Sequence, residues 1–283
     1  MMTQRIAWIT DSTSSIDPET AAKYNIHIIP LSVVFENESY KENVEITTEE
    51  FYKRLPHEEA FPTTSQPSVG SFSELFEQLK GSYDAGIAIH ISSHLSGTLQ
   101  TAQLAAETTG FPLFTVDSGM GAGSIRPLLT RGSQLAEEGS TPEEIQQRLT
   151  EMAGHAKGYL LLGSLEQAHK GGRISRGKLI LGTLLKIHPL LTFERGQIVP
   201  FEKIRTRKRA ENRLLQIAQD AIASSRVEDL SIIYTTTKGK AEAWKKELQE
   251  LSPGLSIHLC PLSPVIGVHG GAETMGIMWY EYR

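Results

Sequence analysis

The sequence predicts an α/β protein of two domains, and three observations carry that prediction. Short apolar runs alternate with amphipathic stretches through the first half, the pattern of strand–helix–strand units. The 283 residues lie near the length at which a single hydrophobic core stops growing. The pattern changes near residue 155, so the expected domains are 1–155, built on a parallel, Rossmann-like sheet, and 156–283, a second α/β unit.

In the first half, residues 6–9, 28–35, 86–91 and 113–116 read as strands. The segment Asp11-Ser12-Thr13-Ser14 ends the first of them. It fits either a capping turn before Asp17-Pro18-Glu19 or the ligand-binding carboxyl end of a parallel strand. Thr47-Thr48-Glu49-Glu50 and Thr141-Pro142-Glu143-Glu144 both fit a capping box, the second with proline where a missing N–H costs nothing. Phe72, Leu75, Phe76 and Leu79 recur at helical spacing before Gly81, which predicts a helix over 71–80. In the second half, Tyr159-Leu160-Leu161-Leu162 reads as apolar chain before a basic turn, Lys170-Gly171-Gly172-Arg173. Segments 187–193 and 197–204 flank Glu194-Arg195-Gly196 as a hairpin, followed by an amphipathic helix over 208–223 and a strand over 230–234.

Two hydroxyl-rich loops stand out within this frame, Thr63-Thr64-Ser65-Gln66-Pro67-Ser68 and Ser92-Ser93-His94-Leu95-Ser96-Gly97-Thr98. Each leads into a helix, whose N-terminus offers unpaired N–H groups and partial positive charge, so together they suit a carboxylate or phosphate. A net charge of -5 and a pI near 6.0 argue against a general nucleic-acid binder, which needs a basic face. Cys260 is the one cysteine, which excludes an internal disulfide and a thiolate-rich metal site and predicts a reducing, cytoplasmic setting. The N-terminal apolar run is too brief for a signal-peptide core, and no run approaches the roughly 18 residues of a membrane helix.

Other chemistries fit less well. Ser96-Gly97-Thr98 and Ser118-Gly119 each fall short of Gly-x-Ser-x-Gly, although His269 with Asp11 or Asp117 keeps an acyl-transfer enzyme in view. Gly119-Met120-Gly121-Ala122-Gly123-Ser124 departs from the dinucleotide-binding spacing by one residue. No P-loop occurs, and the histidines are too scattered for zinc. The run Arg205-Thr206-Arg207-Lys208-Arg209 lies where a helix begins, which the helix dipole disfavours; it fits either a solvated face or an anionic partner. Arg173, flanked by glycines, raises the same question on a turn read as exposed.

Taken in order, Thr10-Asp11-Ser12-Thr13-Ser14, Thr64-Ser65-Gln66-Pro67-Ser68, Ser92-Ser93-His94-Leu95-Ser96-Gly97-Thr98, Lys170-Gly171-Gly172-Arg173-Ile174 and His269-Gly270-Gly271, with Lys186-Ile187-His188-Pro189, resemble the DegV family of bacterial fatty-acid-binding proteins over nearly the whole chain. The resemblance implies a two-domain α/β protein that holds one long-chain fatty acid, its carboxylate at the domain junction and its tail in a tunnel of the C-terminal domain. It implies a non-catalytic subunit of fatty acid kinase: the partner kinase phosphorylates the bound acid, and the acyl phosphate feeds phospholipid synthesis. It implies no cofactor besides the lipid, no nucleic acid, and at most transient membrane contact. By position in the motifs, Thr64 and Ser96 donate to the carboxylate with His269 close by; Ser65, Gly97 and Thr98 are carried over with them, and Arg173 and Arg205 face the kinase. The segment His269-Gly270-Gly271-Ala272-Glu273-Thr274 departs from the His-Gly-Pro-Gly-Thr expected of a member, and its Glu273 either alters how the carboxylate is held or points away to solvent.

Hydroxyls hold a carboxylate without fixed charge and leave it nucleophilic, whereas an arginine clamp blunts it. A tail of about 14 methylenes at about 0.8 kcal/mol each gives roughly 11 kcal/mol gross before immobilisation costs. Leu179-Ile180-Leu181, Leu184-Leu185, Leu190-Leu191 and Ile277-Met278-Trp279 are candidates to line such a tunnel. Two alternatives remain: an acyl-transfer enzyme on Ser96 and His269, and a small-anion binding module.

Overall fold

The computed structural model describes residues 4–36, 38–58, 60–174, 187–224 and 227–281. The first half runs β1 (Ile6–Asp11), α1 (Pro18–Lys23), β2 (Ile26–Ile29), β3 (Ser32–Phe35), β4 (Glu38–Lys41), α2 (Thr48–Arg54), β5 (Thr63–Ser65), α3 (Val69–Leu79), β6 (Ala85–His90), α4 (Thr98–Thr109), β7 (Leu113–Asp117), α5 (Ile125–Glu137) and α6 (Pro142–Ala153). The second half runs β8 (Ala156–Leu161), α7 (Leu165–Lys170), β9 (Leu190–Glu194), β10 (Gln197–Glu202), α8 (Arg207–Ser224), β11 (Asp229–Tyr234), α9 (Lys238–Leu251), β12 (Ser256–Pro261), α10 (Pro264–Gly270) and β13 (Met275–Tyr280).

Strands β2, β1, β6 and β7 form, in that order, a parallel sheet, as the alternating pattern predicts. Buried on both faces, β6 is apolar apart from His90, the signature of a sandwiched parallel strand. Phe72, Phe76, Ala102 and Ala105 from α3 and α4 cover one face, while Ile125, Leu128, Leu129, Ile145 and Leu149 from α5 and α6 cover the other. The expected helix at 71–80 begins two residues earlier, because the Ser68 side chain accepts the Ser71 N–H and caps it. Both predicted capping boxes are formed, at Thr47 with Glu50 and at Thr141 with Glu144.

One predicted strand is corrected. Residues 28–35 do not run as one strand: Pro30, with no N–H to donate, separates β2 in the parallel sheet from β3, which pairs antiparallel with β4 and β5 in a small separate sheet. That sheet turns the Thr63–Ser65 loop into a strand edge.

The second sheet is mixed, in the order β10-β9-β8-β13-β11-β12. Its side chains sort by the two-residue period of a strand. Leu161, Ile232, Tyr234, Ile277 and Trp279 pack beneath α8 and α9. Their sequence neighbours Leu160, Leu162, Ile233 and Met278 face the other way, towards Ala122 and Leu262. The hairpin at Glu194-Arg195-Gly196 turns on Arg195 and Gly196, both at positive φ (49 and 79), which matches the twist of the strands it joins. Its strands are shorter than predicted, and 187–189 and 203–204 lie outside them. The tunnel candidates 179–181 and 184–185, and Lys186 of the resemblance, lie outside the described residues.

Candidate functional site

The connections leaving β1 and β6 run to opposite sides of the parallel sheet, to β2 and β7. Open α/β sheets bind ligands at such a switch point, beyond the carboxyl ends of the strands. Asp11 ends β1 there and His90 ends β6. Both are fully buried, and His90 Nδ1 lies 2.8 Å from Asp11 Oδ2. Asp11 also accepts the backbone N–H groups of Ile91 (3.2 Å) and Thr13 (3.0 Å), so it ties the two strand ends together.

Beyond β6 the Ser92–Thr98 loop folds over itself, with Leu95 N and Ser96 N donating to Ser92 O at 2.8 and 3.0 Å. Ser93 N is held by Asp117 (3.1 Å), and Ser92 Oγ donates to Gly196 O (2.9 Å), which pins the loop to the β9–β10 hairpin. Ser96 Oγ is left 2.9 Å from Thr98 Oγ1 at the start of α4. Gly97 caps that helix at an ordinary φ of -80, and its lack of a side chain lets the Gln66 amide lie against it: a Cβ there would lie 2.5 Å from Gln66 Oε1 and push that amide aside. Gln66 lies across Gly97 and donates to Thr101 Oγ1 at 2.7 Å, which joins the two hydroxyl-rich loops.

Thr64 Oγ1 is 2.9 Å from His269 Nε2, on the last turn of α10. The other ring nitrogen, Nδ1, is buried without a partner, and Gly171 packs so closely that a Cβ on it would lie 2.1 Å away. Burial, aided by the nearby Arg173 charge, lowers the His269 pKa to about 4, so the ring is neutral at neutral pH. Arg173 donates through Nε to Leu95 O (3.1 Å) and through a terminal nitrogen to Gly171 O (2.5 Å).

Thr64, Gln66, Ser96, Arg173, His269 and Thr274 are the polar lining of one cavity between the parallel and mixed sheets. The rest of its wall is mainly apolar: Leu31, Ile91, Leu160, Ile198, Val265 and Met278 are representative. It is a chamber for a molecule with a polar head and an aliphatic body.

The structure brings Thr64, Ser96 and His269 together at this cavity and treats the other predicted residues differently. Thr98 is buried behind Ser96, and Gly97 acts through its shape. Ser65 is corrected: adjacent strand residues point to opposite faces, so with Thr64 turned to the cavity, Ser65 is exposed, and its hydroxyl donates to Gln66 O. Arg173 is corrected from an exposed turn to a half-buried cavity-lining position, so a fixed positive charge does stand beside the hydroxyls. Arg205 is exposed on the approach to α8. Its neighbour Arg207 is paired with Glu211 (3.1 Å) and Glu273 (3.6 Å), which turns Glu273 towards α8. Ile277 and Trp279 pack under α8 and α9, whereas Met278 lines the cavity, as the strand period requires.

No hydrolytic triad assembles among the described residues. His269 Nε2 faces Thr64, while Asp11 is taken by His90 and Asp117 by Ser93 and Gly119 backbone N–H groups. The sequence reading missed Gln66 as a site residue; its position within a hydroxyl-rich motif two residues after Thr64 was the available signal.

Comparison with known proteins bears on this geometry. A protein from Halalkalibacterium halodurans described as DegV domain-containing is 36% identical over 98% of each chain, and Protein DegV of Bacillus subtilis is 35% identical over 97% of this chain and 98% of its own. The crystal structure of DegV from Bacillus subtilis, described as a fatty acid binding protein, superposes with a TM-score of 0.90 at 35% identity, covering 99% of this chain and 100% of that one. A DegV family protein from Thermus thermophilus, described in terms of its fatty acid binding, gives 0.86 at 28% identity, covering 98% and 100%. The family model described as "Uncharacterised protein, DegV family" matches residues 5–282, and the chain belongs to that family.

Proposed function

We propose that this protein binds one long-chain fatty acid in the cavity between its sheets and presents the carboxylate to a partner fatty acid kinase. The observation that carries the reading is the convergence of Thr64, Ser96, Arg173 and His269 on one side of an otherwise apolar chamber. If His269 holds its proton on Nε2 and donates it to Thr64 Oγ1, the Thr64 hydroxyl is free to donate to a carboxylate oxygen; Ser96, backed by Thr98, serves the second oxygen. Arg173, with its hydrogen bonds partly spent on two carbonyls, supplies charge compensation without a bidentate clamp. The acid therefore stays available as a nucleophile. Phosphoryl transfer belongs to the partner, with acyl phosphate passing to phospholipid synthesis in the cytoplasm, and Arg173 and Arg205 lie on the face offered to it. In this reading residues 1–155 supply the carboxylate loops and 156–283 the acyl-chain pocket. No helix among the described residues is long and apolar enough to cross a membrane.

Denaturing extraction of purified protein followed by mass spectrometry tests the first step, with a near-stoichiometric long-chain fatty acid as the expected result. Affinity that fails to rise with alkyl chain length would overturn it in favour of a small-anion site. Ser96→Ala is expected to retain fatty acid but to slow acyl phosphate formation by an added kinase at least several-fold. Esterase turnover by the chain alone, abolished by the same substitution, would replace the presenter with an acyl-transfer enzyme.

A further inference from the structure

Glu42 is fully buried, and no step of the proposed function uses it. It follows β4 and reaches two separate parts of the molecule. Oε1 lies 2.5 Å from Ser12 Oγ in the turn after β1, and Oε2 accepts the Val265 N–H at 2.9 Å on the first turn of α10. The Leu31 backbone is held from both sides by the same assembly: its N–H donates to Ser12 Oγ (2.9 Å), and its carbonyl accepts Glu42 N–H (2.9 Å). Leu31 and Val265 both line the lipid cavity, and α10 carries His269 one turn further on.

We propose that Glu42 is a positioning residue for the ligand site, its carboxyl group fixing α10 and residue 31 against the turn after β1 and so holding two cavity walls and His269 in register. This rests on the fatty-acid reading for its ligand but not for its geometry. A carboxyl group also suits the N-terminal end of a helix, where partial positive charge is exposed.

The tie depends on protonation. Burial raises the Glu42 pKa to about 7 against the hydrogen bonds from Ser12 and Val265, with the Asp11 charge adding to the rise. Tyr52 on α2 is the other titratable group against it, and Asp17, Lys245 and His258 line the cleft that borders Glu42 on the solvent side. Because the closed arrangement prefers the neutral acid, ionisation as pH rises through about 7 favours arrangements in which Glu42 is hydrated and α10 released. In the structure Ser12 Oγ donates to Oε1 while accepting the Leu31 N–H. The neutral acid keeps both links once the Ser12 hydroxyl turns, so that Oε1–H donates to a Ser12 Oγ that accepts from both, while Oε2 still accepts from Val265.

The test compares wild type, Glu42→Gln and Glu42→Ala at pH 6 and pH 8.5, by hydrogen exchange of residues 266–270 and by titration with the fluorescent fatty acid cis-parinaric acid. Gln retains an acceptor for Val265 and a donor for Ser12 but does not titrate. At pH 6, wild type and Gln are expected to match in both measurements. At pH 8.5, wild type is expected to exchange several-fold faster in this helix than Gln and to bind several-fold more weakly. Ala is expected to exchange faster and bind at least tenfold more weakly at both pH values. Ala behaviour matching wild type at pH 6 would overturn the positioning role, with Ser12→Ala, which cuts one end of the tie, read in its place should Ala fail to fold. Superimposable wild-type and Gln behaviour at pH 8.5 would overturn its dependence on protonation. Absence of parinaric acid binding in every protein would count against the fatty-acid reading alone, since the exchange comparison needs no ligand.

Discussion

Thr64 and His269 meet at 2.9 Å across 205 residues of sequence, and the pair shows what a buried imidazole costs. With its folded pKa near 4 and an unfolded value near 6.5, His269 binds its proton more readily in the unfolded chain. The stability it contributes is therefore present above pH 6.5 and lost as pH falls towards 4. Between pH 7.5 and 5.5 the ligand-free protein should lose about 1 kcal/mol through this residue. Urea unfolding at the two pH values, compared between wild type and His269→Gln, checks this; an equal loss in both proteins would assign the effect to other groups. The residue types of the site were legible in sequence, because hydroxyls clustered before helices announce an anion site. The facing of each side chain was not. Ser65 and Thr64 are equally plausible as letters, and a three-residue pairing with β3 decides between them. Arg173 likewise reads as surface until the Leu95 and Gly171 carbonyls are seen to draw it inward.

At the scale of elements, local signals proved reliable where they were self-contained. The Thr141 and Glu144 capping box forms because its partners lie three residues apart, so no distant contact can alter it. Thr141→Ala should cost about 1 kcal/mol of stability by freeing the Glu144 N–H. Fatty-acid affinity should be unchanged, since α6 contributes nothing to the cavity wall. Thermal unfolding with and without ligand measures both, and a loss of affinity beyond twofold would mean that α6 is coupled to the site. Strand identity was less legible wherever it depended on a partner. The run at 28–35 is apolar but for Ser32, and the break at Pro30 separates pieces that serve different sheets. The smaller sheet that results presents Thr64, so the error in strand reading and the error over Ser65 have one physical origin.

The whole molecule is built on two large sheets and one small one, yet its cores are not independent. Strand β13 belongs to the mixed sheet, and its last residue, Tyr280, is 2% exposed within the cluster formed by Trp8, Ile87, Leu128 and Leu149 around the parallel sheet. Its hydroxyl donates to Ser124 O at 2.6 Å. Nearby, Arg126 pairs with Asp229, and Ser231 Oγ donates to Gly123 O at 3.1 Å. A Cβ at Gly123 would lie 2.5 Å from Ser231 Cβ, so backbone meets sheet there with no room to spare. Seams of this kind oppose separate unfolding, because opening one half exposes apolar surface and unpaired polar groups of the other. Calorimetry of the intact chain should accordingly give one cooperative transition. Tyr280→Ala removes a large buried ring and its hydrogen bond to the Ser124 carbonyl, which should cost about 3–5 kcal/mol. The whole transition should move to lower temperature as a unit. Two resolved transitions in the wild type, with the substitution shifting one and sparing the other, would show that the cavity between the sheets is bounded by halves that hold themselves together separately.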